Sequence, residues 1–225
     1  MLPLRDFNRS STKPHVNRIL IIVNFIVLLV YMLASLGIFL DNRFTLVLEE
    51  EFVMVPGEIL KGRMLHTLVT SMFMHDGWFH LLGNMLFLYI FGDNVEDAFG
   101  HTSYLVFYLA CGLAASFAHI AFSLFFGDVL VGVVGASGAI SGVMGAYVVL
   151  YPKATVLTLV TYFILPLPAI IFLGYWFALQ GILGIFEASG NVAYWAHIGG
   201  FVAGMLLGLT VGRKGKKARD RRMRL

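Results

Sequence analysis

"GASGAISGVMG", residues 135–145, holds two serines, Ser137 and Ser141, and four glycines. It opens an apolar run of the kind that lipid-facing helices usually build from leucine, isoleucine and phenylalanine. Two readings compete for it. It is either a small-residue face that lets helices approach closely, or the place where a nucleophile is held.

The rest of the chain sets the context. Of its 225 residues 59% are hydrophobic and only 13% charged, with a mean hydropathy of +0.83. That composition excludes a water-soluble globule and reads as an integral membrane protein. Crossing a hydrocarbon layer takes about 20 mostly apolar residues. Six runs meet that length, at about 18–40, 79–98, 103–126, 136–152, 167–186 and 193–212. The segment "MLPLRDFNRSSTKPHVNR" is polar and basic, and the run after it is too long for a signal-peptide core and lacks a small-residue cleavage site, so it is expected to be retained.

Lys and Arg total 16, and eight of them fall in "RKGKKARDRRMRL", residues 213–225. A basic tail directly after a span is an orientation signal rather than a nucleic-acid site. An even number of spans with two basic ends puts both termini in the cytoplasm. The connection "DNVEDAFGH" after span 2 is then cytoplasmic too, although acidic. The lone cysteine, Cys111, allows no internal disulfide and reads as a packing residue of span 3.

The expected organisation is a cytoplasmic segment at 1–17, a membrane domain at 18–212 and a basic cytoplasmic tail at 213–225. Within the domain the longest connection, about 41–78, carries "EEEF" at 49–52, a Pro-Gly turn at 56–57 and the amphipathic "MLHTLVTSMFMH". It suits a short helix or hairpin at the outer interface. The run from 154 to 186 exceeds one span and is interrupted by Pro166 and Pro168. A β-branched extended segment followed by a helix starting near Pro168 fits it better.

Polar groups inside a bundle are expensive unless partnered, so they are functional candidates. His80 and Asn84, four apart, share one face of span 2. Ser137 starts span 4, and His197 lies five residues into span 6. Spans 2, 4 and 6 all enter from the outside, so these four residues fall at one depth. Gly138 and Gly142 on span 4, and Gly200, Gly204 and Gly208 on span 6, repeat every four residues and form two smooth faces. Packing of those faces would bring the Ser137 hydroxyl beside the His197 imidazole.

A serine beside a neutral histidine is the minimal nucleophile and base. A third, orienting acid is usual in soluble enzymes. Asp128 sits in the preceding loop and Glu187 at the end of span 5, neither well placed, so the pattern favours a dyad. The Ser137 backbone N–H, the Asn84 amide and the His80 imidazole are the donors at the right depth for an oxyanion. His75, Asp76 and His80 are metal-ligand residue types, but no set of three or four at a fixed spacing appears, and neither a metal nor an organic cofactor is expected.

These motifs resemble the rhomboid family of intramembrane serine proteases. "HLLGN" matches H-x-x-x-N, "GASG" matches G-x-S-G, and "AHIGGFVAG" matches A-H-x-x-G-x-x-x-G, in the family's order and on spans 2, 4 and 6. The resemblance implies an all-α bundle of six membrane helices with an outer interfacial loop between the first two. It implies that Ser137 is the nucleophile, His197 the base, and His80 and Asn84 oxyanion-side residues. It also implies that a substrate's transmembrane segment enters laterally past spans 2 and 5. Two positions depart from the family. Ser141 stands where an aromatic often packs on the imidazole, and His66-Thr67 stands where many members carry Trp-Arg.

The expected partners are transmembrane protein substrates and the lipid bilayer, with no nucleic acid, and no feature specifies an oligomeric state. The compact core favours a prokaryotic plasma membrane. An inactive client-binding relative is the alternative, but it would normally lack the serine or the histidine. A proton channel could use the two histidines yet would not need G-x-S-G.

Overall fold

The computed structural model describes residues 1–37, 42–186 and 192–222; Glu187 lies outside them. Strand β1 (Leu2–Asp6) precedes α1 (His15–Ser35). The connection that follows folds as α2 (Asn42–Phe52), α3 (Pro56–Leu60), α4 (Thr67–Thr70) and a 3-10 turn at Ser71–Phe73. Next come α5 (Trp78–Phe99), α6 (His101–Phe126) and α7 (Ser137–Leu150). A hairpin of β2 (Thr155–Val160) and β3 (Phe163–Pro168) leads into α8 (Ala169–Phe186). Helix α9 (Tyr194–Leu207) continues through a π-helical turn at Gly208–Gly212 into α10 (Arg213–Arg222).

Among the described residues four helical stretches are long and apolar enough to cross a membrane: His15–Ser35, His101–Phe126, Ala169–Phe186 and Tyr194–Ala218. Their outer faces are apolar, as lipid requires: Ile19, Ile22, Ile26 and Leu29 on α1 are all exposed, while Leu20, Asn24 and Leu28 turn inward. The expected second and fourth spans differ for physical reasons. Helix α5 ends in Asp93, Glu96 and Asp97. Helix α7 has 14 residues, and a helix of that length rises about 21 Å. It is buried along almost its whole length, so it is solvated by protein rather than lipid.

Helices α7 and α9 form the most extensive packing pair. A Cβ at Gly200 would run into the Gly138 carbonyl oxygen, and one at Gly204 into that of Gly142. The small-residue faces therefore let the two backbones touch, which no larger side chain allows. Buried Phe91, Tyr104, Tyr108, Tyr147 and Phe172 fill the surrounding core.

The N-terminal segment, expected only as a polar cytoplasmic stretch, is structured. β1 pairs antiparallel with β2, giving a sheet in the order β1-β2-β3. Residues 8–17 then bind the acidic end of α5. Ser10 donates to Asp93 at 3.1 Å, the Thr12 hydroxyl to Asp97 at 2.7 Å, and the Val16 and Asn17 amides to Glu96 at 3.0 and 2.7 Å. Glu96 thus takes up two of the amides that the first turn of α1 leaves without helical acceptors. "DNVED" is a helix end bound to this segment rather than a free acidic loop.

Candidate active site

Residues 128–136 lead into α7 and are held from both sides. Met54 and Val133 exchange backbone hydrogen bonds (3.2 and 2.8 Å), the Gly57 amide donates to Val129 at 2.8 Å, and the Gly135 amide donates to the Ser71 carbonyl at 2.9 Å. Gly135 has a φ of +122°, and a Cβ there would lie 2.9 Å from Nε2 and Cε1 of His80. Only glycine meets both demands. The chain then enters α7 with Ser137 as its first residue.

His197, in the first turns of α9, meets that serine directly. Its Nε2 lies 2.8 Å from Ser137 Oγ, and its Nδ1 lies 2.7 Å from Gln180 Oε1 on α8. With the proton on Nδ1, the imidazole donates to the Gln180 carbonyl oxygen and accepts from the Ser137 hydroxyl. Trp176, one turn before Gln180, stands against the imidazole at a ring-centroid distance of 5.8 Å and an interplanar angle of 38°, and stacks in turn on Phe201.

The remaining sequence candidates divide into those at the site and those away from it. Asn84 is buried, and its Nδ2 has no hydrogen-bond partner among the described residues. It lies 3.8 Å from where a Cβ of Gly135 would stand, beside the turn that delivers Ser137. His80 faces the same turn, with its Nδ1 held by Asp76 Oδ1 at 2.7 Å and the His75 ring edge-on at 5.0 Å. Burial pushes His75 down to about 4, with His80 adding to the shift, so His75 is neutral at pH 7. Ser141 is fully buried and its hydroxyl donates to the Ser137 carbonyl at 2.6 Å, so it is spent within its own helix. Asp128 accepts from the Leu130 amide at 2.8 Å in an exposed loop and does not meet the imidazole. Among the described residues no group of three or more His, Cys, Asp or Glu is arranged to hold a metal ion.

A small cavity of about 30 Å³ reaches Ser137, lined also by Ser71, Ser116, His119 and Gly135. A larger one, about 360 Å³, lies between the N-terminal segment, α1 and α5, and is lined by neither Ser137, His197, His80 nor Asn84.

Sequence reasoning missed Gln180. Its signal was there to use: it is the single amide in the 18-residue apolar run "AIIFLGYWFALQGILGIF" of α8, where an unpartnered polar group would be costly. What it could not supply was the partner, which sits on the next helix.

Comparison with known proteins places the chain in a family. RHOMBOID-like protein 12, mitochondrial, of Arabidopsis thaliana is 31% identical over 207 residues, covering 84% of this chain and 59% of that protein. Rhomboid protein 1, mitochondrial, of Saccharomyces cerevisiae is 31% identical over 70% of this chain and 45% of its own length. Rhomboid protease GluP of Bacillus subtilis is 37% identical over 67% of this chain and 28% of its own length. The chain thus spans roughly a quarter to three-fifths of these relatives. Two are named mitochondrial, which goes against the prokaryotic plasma membrane expected above; membrane-embedded helices stand without a compartment attached. The rhomboid domain matches residues 62–214, a stretch that carries Ser137, Gln180 and His197 together with the helices that position them. On that match and these identities, the chain belongs to the rhomboid family.

Proposed function

We propose that this protein is an intramembrane serine endopeptidase that cleaves transmembrane segments of membrane-protein substrates near the outer face of the bilayer. The observation that carries the reading is the 2.8 Å approach of Ser137 Oγ to His197 Nε2 at the start of the short helix α7. A helix rising about 21 Å cannot fill a hydrocarbon layer of ~30 Å. If its Leu150 end lies at the cytoplasmic face, its first residue lies within the membrane and below the outer surface. The chain is read as a six-helix bundle in which α5 and α7 complete the four longer spans, with both termini cytoplasmic.

The chemistry follows from the geometry. Ser137 Oγ attacks a peptide carbonyl carbon as its proton passes to His197 Nε2. The carbonyl oxygen becomes an oxyanion facing the unpaired Asn84 amide, the Ser137 backbone N–H and His80. Collapse of the tetrahedral centre breaks the C–N bond, and the leaving amine takes the proton back from Nε2. Water then attacks the acyl-serine with His197 again as base, releasing the acid and restoring the hydroxyl. The 30 Å³ cavity beside Ser137 is large enough for one water molecule and has several polar groups to bind it.

A substrate helix must give up local backbone hydrogen bonds to expose its carbonyl, so clients with helix-breaking or small residues near the cut are favoured. Entry is proposed past α5 and α8. The client-holding alternative has no use for a serine hydroxyl already aligned on an imidazole lone pair.

Labelling with a serine-reactive fluorophosphonate tests the reading. The wild type should be modified at Ser137 and Ser141→Ala should label equally, whereas Ser137→Ala and His197→Ala should not label. Labelling that persists in Ser137→Ala would overturn it.

A further inference from the structure

The serine–histidine pair leaves one question open: what holds the imidazole. Ser141, at the position where an aromatic support was expected, gives its hydroxyl to the Ser137 carbonyl. Asp128 is engaged in its own loop. The group that meets Nδ1 is the side-chain oxygen of Gln180, 7% exposed and 2.7 Å away.

We propose that Gln180 is a positioning residue for the reaction: by accepting the Nδ1 proton it fixes the tautomer and ring plane of His197, so that the Nε2 lone pair faces Ser137. This rests on the endopeptidase reading. A neutral histidine carries its proton on either nitrogen, and only the Nδ1–H form can take the serine proton. In soluble serine proteases a carboxylate makes that choice. Inside a low-dielectric bundle an amide oxygen makes the same selection without net charge, whereas a carboxylate in its place would accept the same proton at a desolvation cost borne by the stability of the fold.

The side chain's setting suits the task. Gln180 lies on the inward face of α8 one turn from Trp176, so the two clasp the imidazole at its Nδ1 edge and beside its ring. Both come from α8, and neither α7 nor α9 supplies a substitute. The pairing of α7 with α9 sets the distance between serine and histidine, and α8 sets the imidazole's orientation. A shift of α8 by an ångström or so would release Nδ1 while leaving the glycine interface intact, so the reactive tautomer depends on α8 being seated.

The test uses the full chain in detergent or liposomes, as wild type, Gln180→Met and Gln180→Glu. Met has a similar length but only a weak thioether acceptor for Nδ1–H, and Glu keeps a strong one. The first readout is the ¹⁵N spectrum of His197, which distinguishes the tautomers and needs no turnover. Wild type and Gln180→Glu should show Nδ1 protonated and Nε2 bare, and Gln180→Met should show a mixture. The second is cleavage of a transmembrane reporter: Gln180→Met should lose about 10- to 100-fold in kcat with KM within about threefold, and Gln180→Glu should recover most of that loss. A His197 signal unchanged in Gln180→Met overturns the proposal, as does a Gln180→Met kcat equal to wild type or a Glu variant as impaired as Met. If the wild type neither cleaves nor labels at Ser137, the endopeptidase reading fails, while the tautomer comparison still decides whether Gln180 sets the imidazole.

Discussion

A single methyl group at Gly204 should disable the site without touching it. The added Cβ would stand 2.5 Å from the carbonyl carbon and 2.6 Å from the Cα of Gly142, with the carbonyl oxygen closer still. All three are backbone atoms and cannot rotate away. Restoring an ordinary contact of 3.4 Å to that carbon alone means parting α7 from α9 by about 0.9 Å, and the nearer oxygen makes this a minimum. Gly204 lies two turns beyond His197, and Gly142 little more than one beyond Ser137, so the separation carries to the site. The Ser137–His197 distance of 2.8 Å would open to about 3.7 Å, past hydrogen-bond range. Gly204→Ala is expected to cost about 1–3 kcal/mol of stability from overpacking and on the order of 100-fold in kcat from misplacement. Gly174→Ala, on α8 with nothing within 4 Å of the new Cβ, is the matched control and should stay near wild type. The assays are reporter cleavage in liposomes and thermal unfolding in detergent. A Gly204→Ala protein within twofold of wild type in cleavage and unchanged in unfolding would refute the account of how the dyad is held.

Further outcomes follow from other contacts. Asn84→Ala removes the buried unpaired donor beside Gly135 and should lower kcat about 10²- to 10³-fold with little change in KM, measured by steady-state cleavage. Glu96→Ala strips the acceptor from the Val16 and Asn17 amides and should destabilise the fold by about 2–3 kcal/mol, read by chemical unfolding. Asp6 is raised to about 6, chiefly by burial, against the lowering hydrogen bond from Tyr147 and with Asp93 adding to the rise. The folded chain therefore holds that proton more tightly than the unfolded one. Its contribution to docking β1 is fully present below the unfolded value of 3.8 and is lost as pH rises through about 6. Hydrogen-exchange protection of Leu2–Asp6, corrected for intrinsic rates, should fall across that window and become flat in Asp6→Asn; protection that rises with pH would contradict it.

Much of the site was legible because membranes make polar residues conspicuous. Ser137, His197, His80 and Asn84 stood out against apolar runs, and the four-residue glycine spacing named the two helices that touch. The β-branched run broken by Pro166 and Pro168 likewise signalled the extended segment that precedes α8. What stayed hidden depends on partners far along the chain. Nothing in "LPLRD" announces a strand, because its mate is β2, more than 150 residues later. The acids of "DNVED" look out of place for a cytoplasmic loop until residues 10–17 are seen to bind them. Gln180 reads as one polar residue in an apolar helix, and only the packing of α8 against α9 brings it to His197. Of the six runs expected to be long spans, four are long and apolar enough among the described residues; α5 ends in acids, and α7 is short because a helix surrounded by protein need not be as long as the membrane is thick.

The central claim is that Ser137 and His197 cut a membrane-embedded peptide bond. Its most direct test is cleavage of a transmembrane reporter by the purified protein in liposomes, comparing wild type with Ser137→Ala, His197→Ala and Ser141→Ala. The account predicts cleavage by wild type and by Ser141→Ala, whose hydroxyl serves only its own helix, and none by the other two. Cleavage that survives Ser137→Ala, or a wild type inert on reporters with helix-breaking residues near their outer ends, would contradict it.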